Sequence, residues 1–273
     1  MKRKELEKNI SITKSNQLST ASYYLTSEEQ RLILACIGQI NPMDPNGVDP
    51  LKKYIVTAEE FKELFKNDKN VNIYQILKKV SDKLYNRSLT IENGNEIIKS
   101  RWVSEVGYAK NEGYISLIFA PLVVDHICRL KKNFNSYRLS NIQKMDSIYG
   151  LRIYELIMSL EGTSYKRNFK IDDLKKMLGI ESKYKMFADF HRKVLLPAQN
   201  DINLYSDINL DWELVKNGRK VESVKLVFKE KPDAEKPKNS LKLKTSEKNT
   251  KDSKTFNENT NLEEWIEDDL EFH

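Results

Sequence analysis

The chain has 273 residues, 39% of them hydrophobic and 10% aromatic, enough for one large or two medium domains, each with its own core. No apolar run approaches the roughly 20 residues of a membrane helix, and the charged opening MKRKELEKNI, with no apolar stretch behind it, does not read as a secretory leader. The net charge of +6 is uneven: residues 255–273 hold seven acids and no Lys or Arg, and this −7 leaves +13 on the rest, which suits a polyanion partner or simply a soluble protein with uneven charge.

Cys36 and Cys128 lie far apart in apolar helical patterns and read as reduced core thiols of a cytoplasmic protein. Residues 1–17 are polar and read as a flexible start. Thr26 and Glu29 form a capping box that opens a helix over Ser27–Ile40. A loop rich in Pro, Asn and Gly follows, then a short strand at Lys53–Val56. Thr57 and Glu60 make a second capping box, for a helix to Phe65. After a turn at Asn67–Asn70, the periodicity predicts a helix over Asn72–Asn86. Arg87–Glu92 and Glu96–Ala109 read as a hairpin around Asn93-Gly94-Asn95, and Tyr114–Phe119 as a last strand. Helix, strand, helix, turn, helix, strand, wing and strand is the order of a winged helix-turn-helix domain.

The second half repeats this order. Ile142–Leu160 reads as a long helix, Asn168–Ile171 as a strand, and Asp173–Leu178 as a short helix capped by Asp172 and closed by Gly179. A helix then spans Lys183–Asn203. Phe187, Phe190, Val194, Ala198 and Ile202 form its apolar stripe, with Lys185, Asp189, Arg192 and Lys193 opposite. A short polar-basic face of this kind can lie in a DNA major groove, although an ordinary surface helix has the same pattern. Pro197 removes a backbone donor and is expected to bend this helix, leaving Lys183 to Lys193 as its reading half. Tyr205–Lys216 and Arg219–Lys229 read as strands around a tight turn at Asn217-Gly218. With an offset of 114 residues, Ile73, Ile76, Val80 and Leu84 fall on Phe187, Phe190, Val194 and Ala198, and Gln75, Lys78 and Lys79 fall on Asp189, Arg192 and Lys193. This favours two copies of one module.

Between the halves, residues 120–134 read as a linker helix. From Arg129 to Lys144 the chain carries Arg129, Lys131, Lys132, Arg138 and Lys144 and no acid, a run suited to phosphate contact. The expected domains are therefore 18–134, including that linker, and 135–229. Residues 230–273 read as a disordered tail with an acidic end. There Leu262, Trp265, Ile266, Leu270 and Phe272 could dock on a partner, or the tail could mask the basic body.

Chemistry-bearing motifs are missing. His126, His191 and His273 are scattered, and no paired histidines offer a metal for nicking chemistry. There is no P-loop and no nucleophile elbow. The sequence gives no reason to expect an enzyme, a cofactor or a small-molecule substrate.

Several stretches together resemble the iteron-plasmid replication initiators, the Rep_3 or RepB-like superfamily. They are KSNQL from Lys14, ASYYLTSEEQRLIL from Ala21, YRLSNIQKMDSIYGLRIYEL from Tyr137, FADFHRKVLLPAQNDIN from Phe187 and KNGRKV from Lys216. They cover roughly Lys14 to Phe228. The resemblance implies an α+β protein of two tandem winged-helix domains. The second would bind directly repeated double-stranded origin DNA. The first would dimerise and also touch DNA. It further implies monomers that open the origin with a host initiator and helicase, and dimers that repress their own promoter. Carried onto this chain, the DNA-binding residues would be Lys183, Lys185, Asp189, Arg192 and Lys193 on the second reading helix. Lys216, Arg219 and Lys220 would serve at the wing, with Gln75, Lys78 and Lys79 as weaker counterparts in the first domain. His191 stands where the family often has a basic residue, and on the helical wheel it lies near the buried stripe. A transcriptional repressor without initiator activity would share this architecture.

Overall fold

The computed structural model describes residues 10–42, 44, 47–65, 72–109, 112–128, 130, 132–159 and 166–232. The first half runs β1 (Ser11–Ser15), α1 (Asn16–Thr20), α2 (Ser27–Ile37), β2 (Tyr54–Thr57), α3 (Ala58–Phe65), α4 (Ile73–Tyr85), β3 (Ser88–Asn93), β4 (Glu96–Arg101), β5 (Val103–Ala109), β6 (Tyr114–Phe119), α5 (Pro121–Asp125) and β7 (Phe134–Arg138). The second runs α6 (Ile148–Met158), β8 (Lys166–Lys170), α7 (Ile171–Met177), α8 (Phe187–Phe190), α9 (Leu196–Tyr205), β9 (Ile208–Asn217) and β10 (Lys220–Glu230). A π turn, His191–Leu195, joins α8 to α9, with helical dihedrals on both sides of it.

Each half contains one three-stranded antiparallel sheet of the same plan: β2-β6-β5 in the first, β8-β10-β9 in the second. In each, a strand that precedes two helices pairs with the last strand of a hairpin that follows them, which is the winged-helix arrangement. Both capping boxes form. Thr26 Oγ1 accepts from the Glu29 amide at 3.3 Å while Glu29 Oε2 accepts from the Thr26 amide at 2.8 Å. Thr57 and Glu60 exchange the same pair at 3.0 and 3.1 Å. The offset of 114 also holds, because α4 begins at Ile73 and α8 at Phe187.

Local patterns misplaced several element ends. Ser11–Ser15 is a strand, with Ser11 opposite Arg138 and Ser15 opposite Phe134 in β7, where a loose start was expected. The linker helix expected over 120–134 stops at Asp125, and the left-handed Asn133 (φ 53°) turns the chain into β7. Val123, Val124, Ile127 and Cys128 are buried, so their apolar spacing reflects core packing more than helix length. The long helix expected from Ile142 begins at Ile148, capped by Ser147, whose own amide donates to Asp201 Oδ2 at 2.6 Å.

The single return strand expected over Glu96–Ala109 splits at Trp102. This ring is fully buried, edge-on to Tyr23 with 4.8 Å between centroids. Among the described residues β4 pairs with β3 alone, while β5 joins the main sheet. The first wing is therefore the β5–β6 hairpin, and the turn at Asn93-Gly94-Asn95 closes a separate one. The fold also runs past 230: Lys231 is buried, and its Nζ donates to the carbonyls of Asn203 at 2.6 Å and Ser206 at 2.8 Å at the end of α9. The acidic stretch 255–273 lies outside the described residues.

The two halves share one buried core. Its polar centre is Glu155 of α6, fully buried. It accepts from Lys14 of β1, from Arg152 Nη1 at 3.1 Å, from the Tyr23 hydroxyl at 3.3 Å and from the Tyr137 hydroxyl. Arg152 also donates to the carbonyls of Ser19, Ala21 and Met177 at 3.1 to 3.2 Å, which ties the 19–23 segment to α7. Burial pushes the Glu155 carboxyl up, but Lys14 and Arg152 outweigh it and hold the group below its ordinary value. Close to this network Gly179 sits at φ +65°, where a Cβ would come within 2.6 Å of the Tyr23 carbonyl carbon, so this junction admits only glycine without a shift.

Candidate nucleic-acid interface

The helix expected to read DNA in the second half is anchored from below. Phe190, Val194, Ala198 and Ile202 are fully buried, as the apolar stripe predicts, and Phe187 is partly so. Burying Phe190, Val194 and Ile202 contributes about 1.5–3 kcal/mol each, so the helix is firmly placed and its outward face is fixed. Asp189, Arg192 and Lys193 share that face. Arg192 Nη2 bonds Asp189 Oδ1 at 2.8 Å, and Arg192 and Lys193 are both exposed.

Lys183 and Lys185, expected in the first turn of the helix, precede it. The chain turns at Tyr184 (φ 53°), and helical structure starts only at Phe187, with no side-chain cap. Lys185 is exposed. Lys183 is partly buried, and its Nζ lies 4.7 Å over the ring of Tyr24 in the first half, a ring that Arg87 also faces at 5.6 Å. His191 packs: its ring lies 6.1 Å from Phe187 and 6.0 Å from Trp212 of β9. Pro197 does not break the helix. The π turn just before it lets α9 begin with the proline in its first turn, where the missing amide is tolerated.

The second wing turns at Gly218-Arg219, with Asn217 opposite Lys220. Gly218 takes φ +61° and Arg219 stays out of the left-handed region, so Arg219 sits in the turn itself instead of beside it. Lys216, Arg219 and Lys220 are all exposed there. The helix face and the wing tip thus each carry exposed cations on one module.

In the first half, Gln75 and Lys79 point outward from α4. Lys78 is partly covered, its Nζ 5.6 Å from the Tyr108 ring, whose hydroxyl bonds Asp82. Burial and that bond push the Tyr108 hydroxyl up to about 12. Of the cations named on this face Lys79 alone is exposed, against Arg192 and Lys193 on the second. Arg138 is exposed at the end of β7, and Lys144 is exposed in the turn before α6. They belong to neither helix face nor wing, and Arg129 and Lys131 lie outside the described residues.

Sequence reasoning missed the residues that fix this surface. Lys175 holds the Tyr184 carbonyl, and Lys176 pairs with Glu92 of β3 across the two halves. No motif signals such contacts. Among the described residues no group of three or more His, Cys, Asp or Glu could hold a metal, and no helix is long and apolar enough to cross a membrane.

Comparison with known proteins fits this geometry. Residues 11–158 match the family described as initiator replication protein, WH1, and residues 170–228 match initiator Rep protein, WH2. A replication initiation protein of Escherichia coli is 28% identical over 207 residues, 73% of this chain and 64% of the relative, so the chain spans under two thirds of that protein's length. The PI protein of Escherichia coli is 30% identical over 160 residues, 52% of each chain. A crystal structure of Pi initiator protein in complex with iteron DNA superposes with a TM-score of 0.67 at 22% identity, covering 83% of this chain and 99% of that one, which shows a common fold. The chain therefore belongs to the replication initiator protein family, with one winged-helix module within residues 11–158 and a second within 170–228.

Proposed function

We propose that this protein binds directly repeated double-stranded DNA at a plasmid origin and starts replication there. The observation that carries this reading is the second module's outward surface: Arg192 and Lys193 on a rigidly anchored helix, with Lys216, Arg219 and Lys220 at the wing beside it. A helix with short polar and basic side chains fits the major groove, where Arg and Lys reach guanine edges and Asp189 can accept from a cytosine amine. The wing cations suit phosphates or the minor groove. Support also comes from membership of the initiator family and from a fold shared with an initiator solved on iteron DNA. Lys183, Lys185, Gln75, Lys78, Lys79, Arg138 and Lys144 would add contacts along the backbone.

On this reading the DNA between modules meets a single body, because the buried Arg152 and Glu155 network ties the halves together, and the exposed Lys176–Glu92 pair also spans them. Self-association, recruitment of a host initiator and helicase, and repression of the protein's own promoter complete the proposed role, which needs no cofactor and no catalytic residue. Footprinting on the DNA flanking the gene tests it. Protection of several direct repeats beside an AT-rich stretch is expected. Protection of a lone inverted repeat within a promoter would overturn the initiator reading in favour of a repressor.

A further inference from the structure

The turn that leads into the second reading helix is held by a residue that no motif marks. Tyr184 lies in the left-handed region at φ 53°, a conformation that costs a bulky side chain energy unless its surroundings impose it. They do so from three sides. Lys175 of α7, itself buried, donates Nζ to the Tyr184 carbonyl at 2.7 Å, and the same ammonium lies 5.5 Å over the ring of Phe190, the buried anchor of α8. The Tyr149 hydroxyl of α6 is 3.1 Å from the Tyr184 hydroxyl, with the two rings edge to face at 6.4 Å. On the outer side, Lys193 Nζ stands 5.9 Å over the Tyr184 ring.

We infer that Tyr184 is a positioning residue for DNA recognition: its left-handed backbone sets where α8 begins, and its ring holds Lys193 in place on the reading face. This rests on the DNA-binding reading above. A free lysine gives up rotamer freedom when it meets a phosphate or a base edge. A ring already beneath its ammonium removes part of that loss, while leaving its outer donors open to the ligand. The chain from Lys175 through Tyr184 to Lys193 thus couples the helix that packs in the core to the helix that reads. It gives the buried Lys175 ammonium, which donates to the Tyr184 carbonyl, a structural reason to be there.

The full-length protein is titrated with two labelled duplexes of equal length, one carrying the footprinted direct repeat and one scrambled. Tyr184→Asn keeps a residue that tolerates the left-handed region but removes the ring. It should weaken binding to the repeat by about two- to fivefold, the size of an exposed cation–π contact, and change binding to the scrambled duplex less. Tyr184→Phe, which keeps the ring, should restore the preference. Lys193→Gln, at an exposed site where folding is not at stake, should lose at least as much as Tyr184→Asn, and the two changes together should lose less than their product. Equal losses on both duplexes, multiplicative losses in the double variant, or no loss with Lys193→Gln would each overturn the inference. A preference for the repeat that is undiminished in Tyr184→Asn overturns it alone, whereas a wild-type chain without that preference overturns the DNA reading as well.

Discussion

The Arg192 side chain is 71% exposed and bonded to Asp189 at 2.8 Å, so the strongest candidate for base contact already has a partner in the free protein. Magnitudes decide which partner wins. An exposed ion pair is worth about 0–1 kcal/mol, while a bidentate Arg–guanine contact discriminates by about 1–3 kcal/mol. The pair should therefore open on DNA. Arg192→Ala is expected to weaken binding to the cognate repeat by about 1–3 kcal/mol and to relax specificity at one base position, read by anisotropy titration against single-base variants. Unchanged affinity would remove it from the interface. Asp189→Asn takes a negative charge off the reading face. It should tighten binding to scrambled DNA at low salt while lowering the preference for the repeat. Lys220→Ala, at the wing, should weaken all duplexes alike and reduce the salt slope by about one. At the other end of the scale of burial, Glu155 answers to two cations. Glu155→Gln should cost about 3–5 kcal/mol of folding stability at neutral pH, since it leaves Lys14 and Arg152 buried without their carboxylate. The folded carboxyl lies below its ordinary value of 4.5, so the stability it supplies is present above that pH and lost as pH falls through and below it. The gap between wild type and Glu155→Gln in urea denaturation should narrow in that window, and a gap independent of pH would show that Glu155 is not the ionised centre of the network.

Among elements, the reading helix is the clearest case of pattern and packing agreeing in part. The apolar stripe from Phe187 to Ile202 was legible because a 3.6-residue period has only one way to face a core, and all but Phe187 are fully buried. Its start was not legible. Lys183 to Met186 continue the same polarity, but the left-handed Tyr184, bonded to Lys175 and Tyr149, precedes a helix that begins only at Phe187. Trp102 shows the same limit in a sheet. Its strand pattern runs on from β4 to β5, but burial against Tyr23 breaks the run and sends the two strands to different sheets. The junction after α7 yields a test of its own. Gly179→Ala puts a Cβ into the Tyr23 backbone at a positive φ, and a loss of about 1–3 kcal/mol in chemical denaturation is expected. A neutral substitution would mean that the two halves can separate there without cost.

For the whole molecule, the boundary of the fold matters more than the label on each half. Truncation after Pro232 should leave folding and repeat binding intact. Truncation after Lys229 should lower thermal stability, because it removes Lys231 and uncaps the Asn203 and Ser206 carbonyls at the end of α9. Equal melting temperatures for the two would show that this cap does not contribute. The acidic end at 255–273 leaves a +13 body, and that imbalance is a matter of sequence alone.

Sequence determined the module and its repetition. Capping boxes, turn glycines and two helical stripes in phase 114 residues apart are local features, each satisfied within a few residues of chain, so they survive without knowledge of the fold. It also determined which helix faces carry charge. Tertiary structure alone decided how the halves join and where the reading helix begins. Lys14 meets Glu155 from 141 residues away, Tyr23 meets Arg152 from 129, and Lys176 meets Glu92 from 84. Contacts at such separations leave no period or spacing in the chain, and a left-handed tyrosine is permitted only by the neighbours that surround it once folding is complete.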